Sequence, residues 1–353
     1  MWSGVAGTCI SLLALGVTFI VVASDHDPVA QAVVERCMPA VVHLDDISQV
    51  SAGLMVAAVE RRGPKLSAIL AGGGSPCQGN SAQQVHRRGW EDERSQQPLH
   101  LKRVCQEIEQ HPKLQHVAVL RFLENVASMP PDVCTKYSKL MDCEPVYVNS
   151  DRCGYATRAR LLWGHGPRGG ILELPAPAMP PGWQCQVQQH SWTELAYCDK
   201  KPLPGRVVFG DGYEMVTSPE QIVQQQGKGA MHTFTREFEH PEDRLAMASP
   251  AAQQRFRLDG KRFSPPAYED CSLVWKQDEW MQPSPQARCQ IQGIPEDIVD
   301  AVPHTGNAYT RRAIQNSLIG DGFHTMPDGF LLPAFPDAAG QTCQTAQADP
   351  AAG

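Results

Sequence analysis

The sequence has no surplus of positive charge: 31 Lys and Arg stand against 38 Asp and Glu, a net charge of −7, and there is no basic tail. Long-range attraction of the whole molecule to a polyanion is therefore excluded, and any nucleic acid has to be met by a local basic patch. The twelve cysteines include no C-x-x-C pair, and the spacing of Cys134, Cys143 and Cys153 fits no usual zinc pattern. In so long a chain this argues against a metal site and against a disulfide scaffold, and for free thiols in a reducing compartment. Residues 1–24 carry no charge at all, which by length alone would span a bilayer. With no Lys or Arg before the apolar part and no A-x-A-like site before Asp25, a secretory signal is poorly supported. No internal repeat is present.

What the opening does contain is a glycine turn, a helix-like CISLLAL, a stop at Gly16, a strand-like VTFIVVAS and then Asp25. That order reads as a buried βα unit in preference to a membrane span. The alternation continues with DPVAQAVVERC as helix, AVVHLDD as strand, VSAGLMVAAVERR as helix, LSAILAGGG as strand, PLHLKRVCQEIEQH as helix and HVAVLRFLENV as strand. Apolar strands separated by amphipathic helices imply an α/β fold with a parallel sheet covered on both faces. From residue 165 to 286 Pro and Gly cluster and helical periodicity fades, as expected of an irregular β and loop insert. Helical character returns over 287–333, where the chain is expected to rejoin the first domain of residues 1–164. The small, polar segment 334–353 reads as a disordered tail.

Three segments carry chemistry. In LAGGGSPCQGNS a strand ends in three glycines, and Pro76 fixes the backbone just before Cys77. Glycines at a strand's carboxyl end admit a ligand close to the main chain, and a thiol presented there suits covalent catalysis. An inert buried cysteine is the competing reading. In RFLENVASMP a second strand ends at Glu124 and Asn125, where a carboxylate can face the same cleft and share a proton with a ring nitrogen. In YATRARLLWG, Arg158 and Arg160 alternate on one face of a strand, two guanidiniums able to hold a carboxylate or a base carbonyl.

Taken in order, P-C-Q, E-N-V and R-x-R resemble the motifs of the DNA (cytosine-5) methyltransferase family. The resemblance extends to WEDERSQQPL, to GKRFSPPAYEDCSLVW with ARCQIQGIPEDI, and to AIQNSLIGDGFHTMP, and so covers nearly the whole chain except the tail; the RARLLWG form leans toward the de novo class of eukaryotic enzymes. It implies a doubly wound S-adenosylmethionine-dependent methyltransferase sheet with the insert as target-recognition region. It also implies a cofactor site of Trp2, Gly4, Gly7, Thr8, Asp25, Asp46, Gly74, Pro76, Leu99, Asp321, Gly322 and Phe323. Cys77 would attack C6 of a cytosine flipped from double-stranded DNA, Glu124 would stabilise N3, Arg160 would orient the base and Arg158 would support that end of the site. The loop GNSAQQVHRRGW would grip the flipped strand through Ser81, His86, Arg87 and Arg88. The implied partners are DNA and a targeting protein, with no membrane and no metal, and the implied location is inside the cell, in the nucleus.

Two alternatives share these motifs. One is a transfer RNA cytosine-5 methyltransferase, whose C-F-T tripeptide this sequence lacks; the other is a catalytically impaired DNA-binding regulatory paralogue, favoured by Asp321 where the family has asparagine. Family members carry a hydrophobic strand before the first motif, whereas Met1 directly precedes Trp2 here. The first strand is therefore expected to be truncated, with the natural product extending upstream of Met1.

Overall fold

The computed structural model describes residues 8, 9, 12, 18–25, 27–38, 40–44, 46–61, 66, 68–82, 84, 86–149, 156–167, 169–170, 183–187, 193–197, 206–208, 214–216, 231–232, 245–246, 248–260, 265–269, 272–276, 279–281, 283–292, 294, 297–303 and 308–321. Trp2, Gly4, Gly7, Gly322, Phe323 and the tail lie outside them.

Strands β1 (Val22–Ser24) and β2 (Val42–Leu44) pair in parallel, linked by helix α1 (Pro28–Cys37). Asp27 starts that helix as its N-cap, accepting from the Val29 N–H at 2.8 Å ahead of a first-turn proline. Helix α2 (Ala52–Glu60) follows β2. Of the described residues of the expected strand VTFIVVAS, the last three form strand, matching the three that β2 offers as partners.

Strands β3 (Ala68–Gly74) and β4 (Ala118–Val126) are the second parallel pair, joined by α3 (Pro98–Gln110). Leu101, Val104, Cys105 and Ile108 form the buried stripe of α3 at helical spacing. Helix α4 (Pro131–Met141) packs on the same layer through Val133, Cys134, Tyr137 and Met141. Strands β5 (Val146–Asn149), β6 (Ala156–Thr157), β7 (Ala159–Gly166) and β8 (Gly169–Gly170) come next. Among the described residues the large sheet runs β3-β4-β7-β5, continuing into β10 (Thr193–Tyr197) and β9 (Trp183–Val187). It is mixed: β7 lies antiparallel between β4 and β5, while β5 and β10 are parallel. The expected parallel sheet acquires an antiparallel strand at β7 because the link from Asn149 to Ala159 is too short for a parallel crossover, which takes about a dozen residues or more.

Both pairs are tied together. Ile47, Val50, Met55 and Val56 join Val104, Ile108, Val117 and Val119 in one core cluster, and Arg103 donates to the carbonyls of Ile47 and Ser48. Between them a small apolar cleft is lined by Ala23, Leu44, Met55, Ala71, Leu101 and Val104 among others.

The insert shows short strands: β11 (Arg206–Val208), β12 (Glu214–Val216), β14 (Val274–Lys276) and β15 (Glu279–Met281) form a small sheet, and β13 (Met231–His232) pairs with β6. Helix α5 (Pro250–Leu258) lies within it. The chain then forms α6 (Pro285–Gln292), α7 (Asp297–Asp300) and α8 (Ala308–Asp321). Cys289, Val299, Leu318 and Ile319 of these helices pack on Ala30 and Val33 of α1. Among the described residues no helix is long and apolar enough to cross a membrane, and no group of three or more His, Cys, Asp or Glu is placed to hold a metal ion.

Candidate active site

The site is built at the carboxyl ends of β3 and β4. Their register runs residue for residue to Gly74 opposite Glu124, and the Ser75 N–H extends the ladder one step by donating to the Glu124 carbonyl at 3.2 Å. Close approach of the two backbones dictates glycine in β3: a Cβ on Gly72 would sit 2.1 Å from the Phe122 carbonyl oxygen. Beyond Pro76, the Cys77 carbonyl accepts from the N–H groups of both Asn80 and Ser81, at 2.9 and 2.8 Å. This closes a tight turn that leaves Cys77 half-buried against the core containing Trp90, Tyr137 and Trp163.

Glu124 is buried near the end of β4. Arg160 enters from β7, opposite Val126, so it is the diagonal neighbour of Glu124 across the antiparallel pair. Its Nε lies 2.5 Å from the Glu124 carboxylate, a charge-assisted contact in a largely dry setting. Arg158 diverges from its neighbour. It is buried too, but its guanidinium donates to the Gly320 carbonyl at 2.9 Å, near the C-terminal end of α8. It thus links the arginine strand to the segment that begins at Asp321.

The expected cofactor residues fall into two groups. Asp25 and Asp46 leave the carboxyl ends of the paired strands β1 and β2, where Ser24 stands opposite Leu44; Asp25 accepts from the Asp27 N–H and Asp46 from the Ser48 N–H. Two carboxylates at adjacent parallel strand ends are the donor-accepting set that a nucleoside's hydroxyl and amino groups require, so the described residues fit such a cofactor. Gly74 and Pro76 border the cysteine turn, Leu99 lies exposed in the first turn of α3, and Thr8 is half-buried in a helical segment. Asp321 is the last residue of α8.

Of the four expected phosphate contacts, His86 and Arg88 are exposed, and Ser81 is half-buried with its N–H held by Cys77. Arg88 stands 3.9 Å from Asp92, a carboxylate that Arg94 holds with two hydrogen bonds, at 2.9 and 2.7 Å. Those bonds from Arg94 keep the Asp92 carboxyl below the usual carboxylate range despite its burial. Arg87 is exposed as well, but its guanidinium is engaged, donating to the carbonyls of Asn80 and Ser128, while the Ala82 N–H donates to the Ser128 hydroxyl at 3.1 Å.

The structure gives a holding role to further residues around the turn, beginning with Asn125, the middle residue of E-N-V. Asn125 donates to both the carbonyl and the hydroxyl of Ser75, at 3.2 and 2.7 Å. Asn80, Ser95 and Tyr137 complete a buried polar group beneath the cysteine turn. The sequence signal for them is membership of E-N-V for Asn125 and of WEDERSQQPL for Ser95, and for Asn80 proximity to P-C-Q. Tyr137 has not even that, since it arrives from α4.

No protein-family model matches the sequence, and no curated protein matches it. Solved structures do match in shape. The Entamoeba histolytica methyltransferase EhMeth is 14% identical with a TM-score of 0.55, covering 96% of this chain and 97% of its own. A mutant of Spodoptera frugiperda DNMT2 is 15% identical at a TM-score of 0.51, covering 94% and 97%. A putative DNA modification methyltransferase encoded within an E. coli prophage is 16% identical at 0.50, covering 96% and 98%. These likenesses establish a shared α/β fold over almost the whole chain.

Proposed function

We propose that this chain, which has the α/β fold of the methyltransferases just described, transfers a methyl group from S-adenosylmethionine to C5 of cytosine in DNA. The observation that carries the reading is that the turn bearing Cys77 leaves β3 at the strand end where a buried carboxylate and a guanidinium meet. Cys77 follows Gly74, Gly74 pairs with Glu124, and Glu124 holds Arg160 at 2.5 Å.

Cytosine C5 is a poor nucleophile while the ring is aromatic. Attack by the Cys77 thiolate forms an Sγ–C6 bond and shifts the C5=C6 electron pair toward C5, while Glu124 passes a proton to N3 and stabilises the developing charge. Arg160 holds Glu124 in place and meets the ring carbonyl. When bound, S-adenosylmethionine supplies the electrophilic methyl group that C5 takes up. Loss of the C5 proton to a solvent base then restores the C5=C6 bond, expels Sγ and returns the N3 proton to Glu124. Asp25 and Asp46 would hold the cofactor's hydroxyl and amino groups, with Gly74, Pro76 and Leu99 beside them. Because the ring is out of reach within a duplex, the nucleotide is flipped from the stack, and the long insert serves target recognition.

The test is incubation with tritiated S-adenosylmethionine and duplex DNA, in parallel with transfer RNA and with Cys77→Ala. Label in DNA that disappears in the variant supports the proposal. Label in transfer RNA alone moves the substrate to RNA. Tight DNA binding without any label assigns a regulatory module.

A further inference from the structure

We infer that Tyr137, a residue of α4 outside every motif, is the positioning residue of the Cys77 turn, clamping both of its limbs through one phenol hydroxyl. The inference rests on the methyl-transfer reading above for its kinetic arm only.

The turn has two limbs, Ser75 entering and Asn80 leaving. The Asn80 amide donates to the Tyr137 hydroxyl at 3.1 Å, that hydroxyl donates to the Ser95 carbonyl at 3.0 Å, and the Ser75 hydroxyl bears on the phenol from the other limb. Asn80 is held in turn by the Ser95 hydroxyl at 2.9 Å, and Ser75 by Asn125 at 2.7 Å. All five side chains are buried, so no water replaces a lost partner cheaply. Burial pushes the phenol up to about 12, against the opposing hydrogen bonds from Ser75 and Asn80. It therefore keeps its proton at neutral pH and remains the donor that the Ser95 carbonyl needs.

The ring is fixed as firmly as the hydroxyl. Trp163 and Trp90 stand edge-on to it, with centroids at 5.5 and 6.2 Å. The turn is also wedged from below, because a Cβ on Gly79 would lie 2.5 Å from the Ser95 hydroxyl oxygen and 2.6 Å from the Asp92 Cβ. A rigid aromatic anchored in the core thus sets the height of the turn, and the turn sets where the Cys77 sulfur lies relative to Glu124. A backbone turn alone would leave that distance free, whereas covalent attack requires it to be held.

The test is Tyr137→Phe, which keeps the ring and removes the hydroxyl, with Ser75→Ala as a milder second variant that cuts one link. The expected result is a fall in kcat of about tenfold or more for Tyr137→Phe, with KM for DNA and for S-adenosylmethionine within about threefold of the parent. Ser75→Ala is expected to lose a smaller factor in the same direction. In parallel, the iodoacetamide labelling rate at Cys77, followed by peptide mass spectrometry, should rise by about threefold or more as the turn loosens. A drop in thermal stability with kcat and the Cys77 labelling rate both unchanged in the two variants overturns the inference. If the parent shows no methyl transfer, the proposed function fails, and the labelling arm still decides whether Tyr137 positions Cys77.

Discussion

Glu124 and Arg160 meet diagonally across two antiparallel strands, with the arginine Nε 2.5 Å from the carboxylate. Neither residue reaches the other through sequence proximity; β4 and β7 bring them together. A carboxylate left buried without its cation carries its full desolvation cost, so breaking such a pair destabilises more than the pair itself contributes. Arg160→Ala is expected to lower stability by about 3 kcal/mol in urea unfolding, and Glu124→Gln by clearly less, because the neutral amide can remain against the arginine. Equal losses would show that the pair is solvated in solution.

Gly72 and Gly53 predict opposite outcomes for the same substitution. A methyl on Gly72 would collide with the Phe122 backbone at 2.1 Å, where no side chain can swing aside. Gly72→Ala is expected to cost about 3 kcal/mol or more, by forcing β3 and β4 apart next to the site. In the exposed first turn of α2, a methyl on Gly53 meets only the Ser51 hydroxyl at 3.9 Å. Gly53→Ala should therefore stabilise by about 0.5–1 kcal/mol through helix propensity, and thermal melts of the two variants should bracket the parent.

Cys105 and Cys134 make the alkaline limb of stability steep. Burial pushes both thiols from 9.0 up to about 12 in the folded chain, while the unfolded chain ionises them at the ordinary value. Between those values the unfolded state holds fewer protons than the folded one. The stabilisation is thus complete below pH 9 and is lost as pH rises toward 12, at up to about 1.4 kcal/mol per pH unit for each thiol. Cys105→Ala is expected to flatten the fall of the urea midpoint above pH 9 while costing a pH-independent amount for the cavity. A parallel shift at every pH would contradict this.

The strands and helices that position the site were legible where one pattern ruled a long segment. LSAILAGGG, PLHLKRVCQEIEQH and HVAVLRFLENV each become the element their periodicity indicates, as β3, α3 and β4. The antiparallel run of β7 was not legible, because its direction depends on the length of a link and not on the composition of the strand. Tyr137 was hidden for a related reason. Thr135, Ser138 and Lys136 interrupt the apolar pattern of PDVCTKYSKLM, and its stripe shows only once Val133, Cys134, Tyr137 and Met141 face one core. Arg158 and Arg160 share a strand face by sequence, yet they part because Gly320 offers Arg158 a half-buried carbonyl while Glu124 holds Arg160.

The loop after the cysteine separates two arginines that sequence treats alike. Arg88 is exposed and only 3.9 Å from an Asp92 already satisfied by Arg94, so it can turn to a phosphate at little cost. Arg87 is engaged with the carbonyls of Asn80 and Ser128, which bind the loop to the β4–α4 turn. On the DNA reading, Arg88→Ala should reduce the slope of log K against log salt by about 0.9, the value for one lost phosphate contact on duplex DNA. Arg87→Ala should leave that slope nearly unchanged. Its effect should appear instead as faster tryptic cleavage at Arg88, because the loop is released from Ser128 and opens locally more often. A slope change in Arg87→Ala as large as in Arg88→Ala would mean that Arg87 leaves its two carbonyls to bind DNA, and that its bonds to Asn80 and Ser128 belong to the free protein alone.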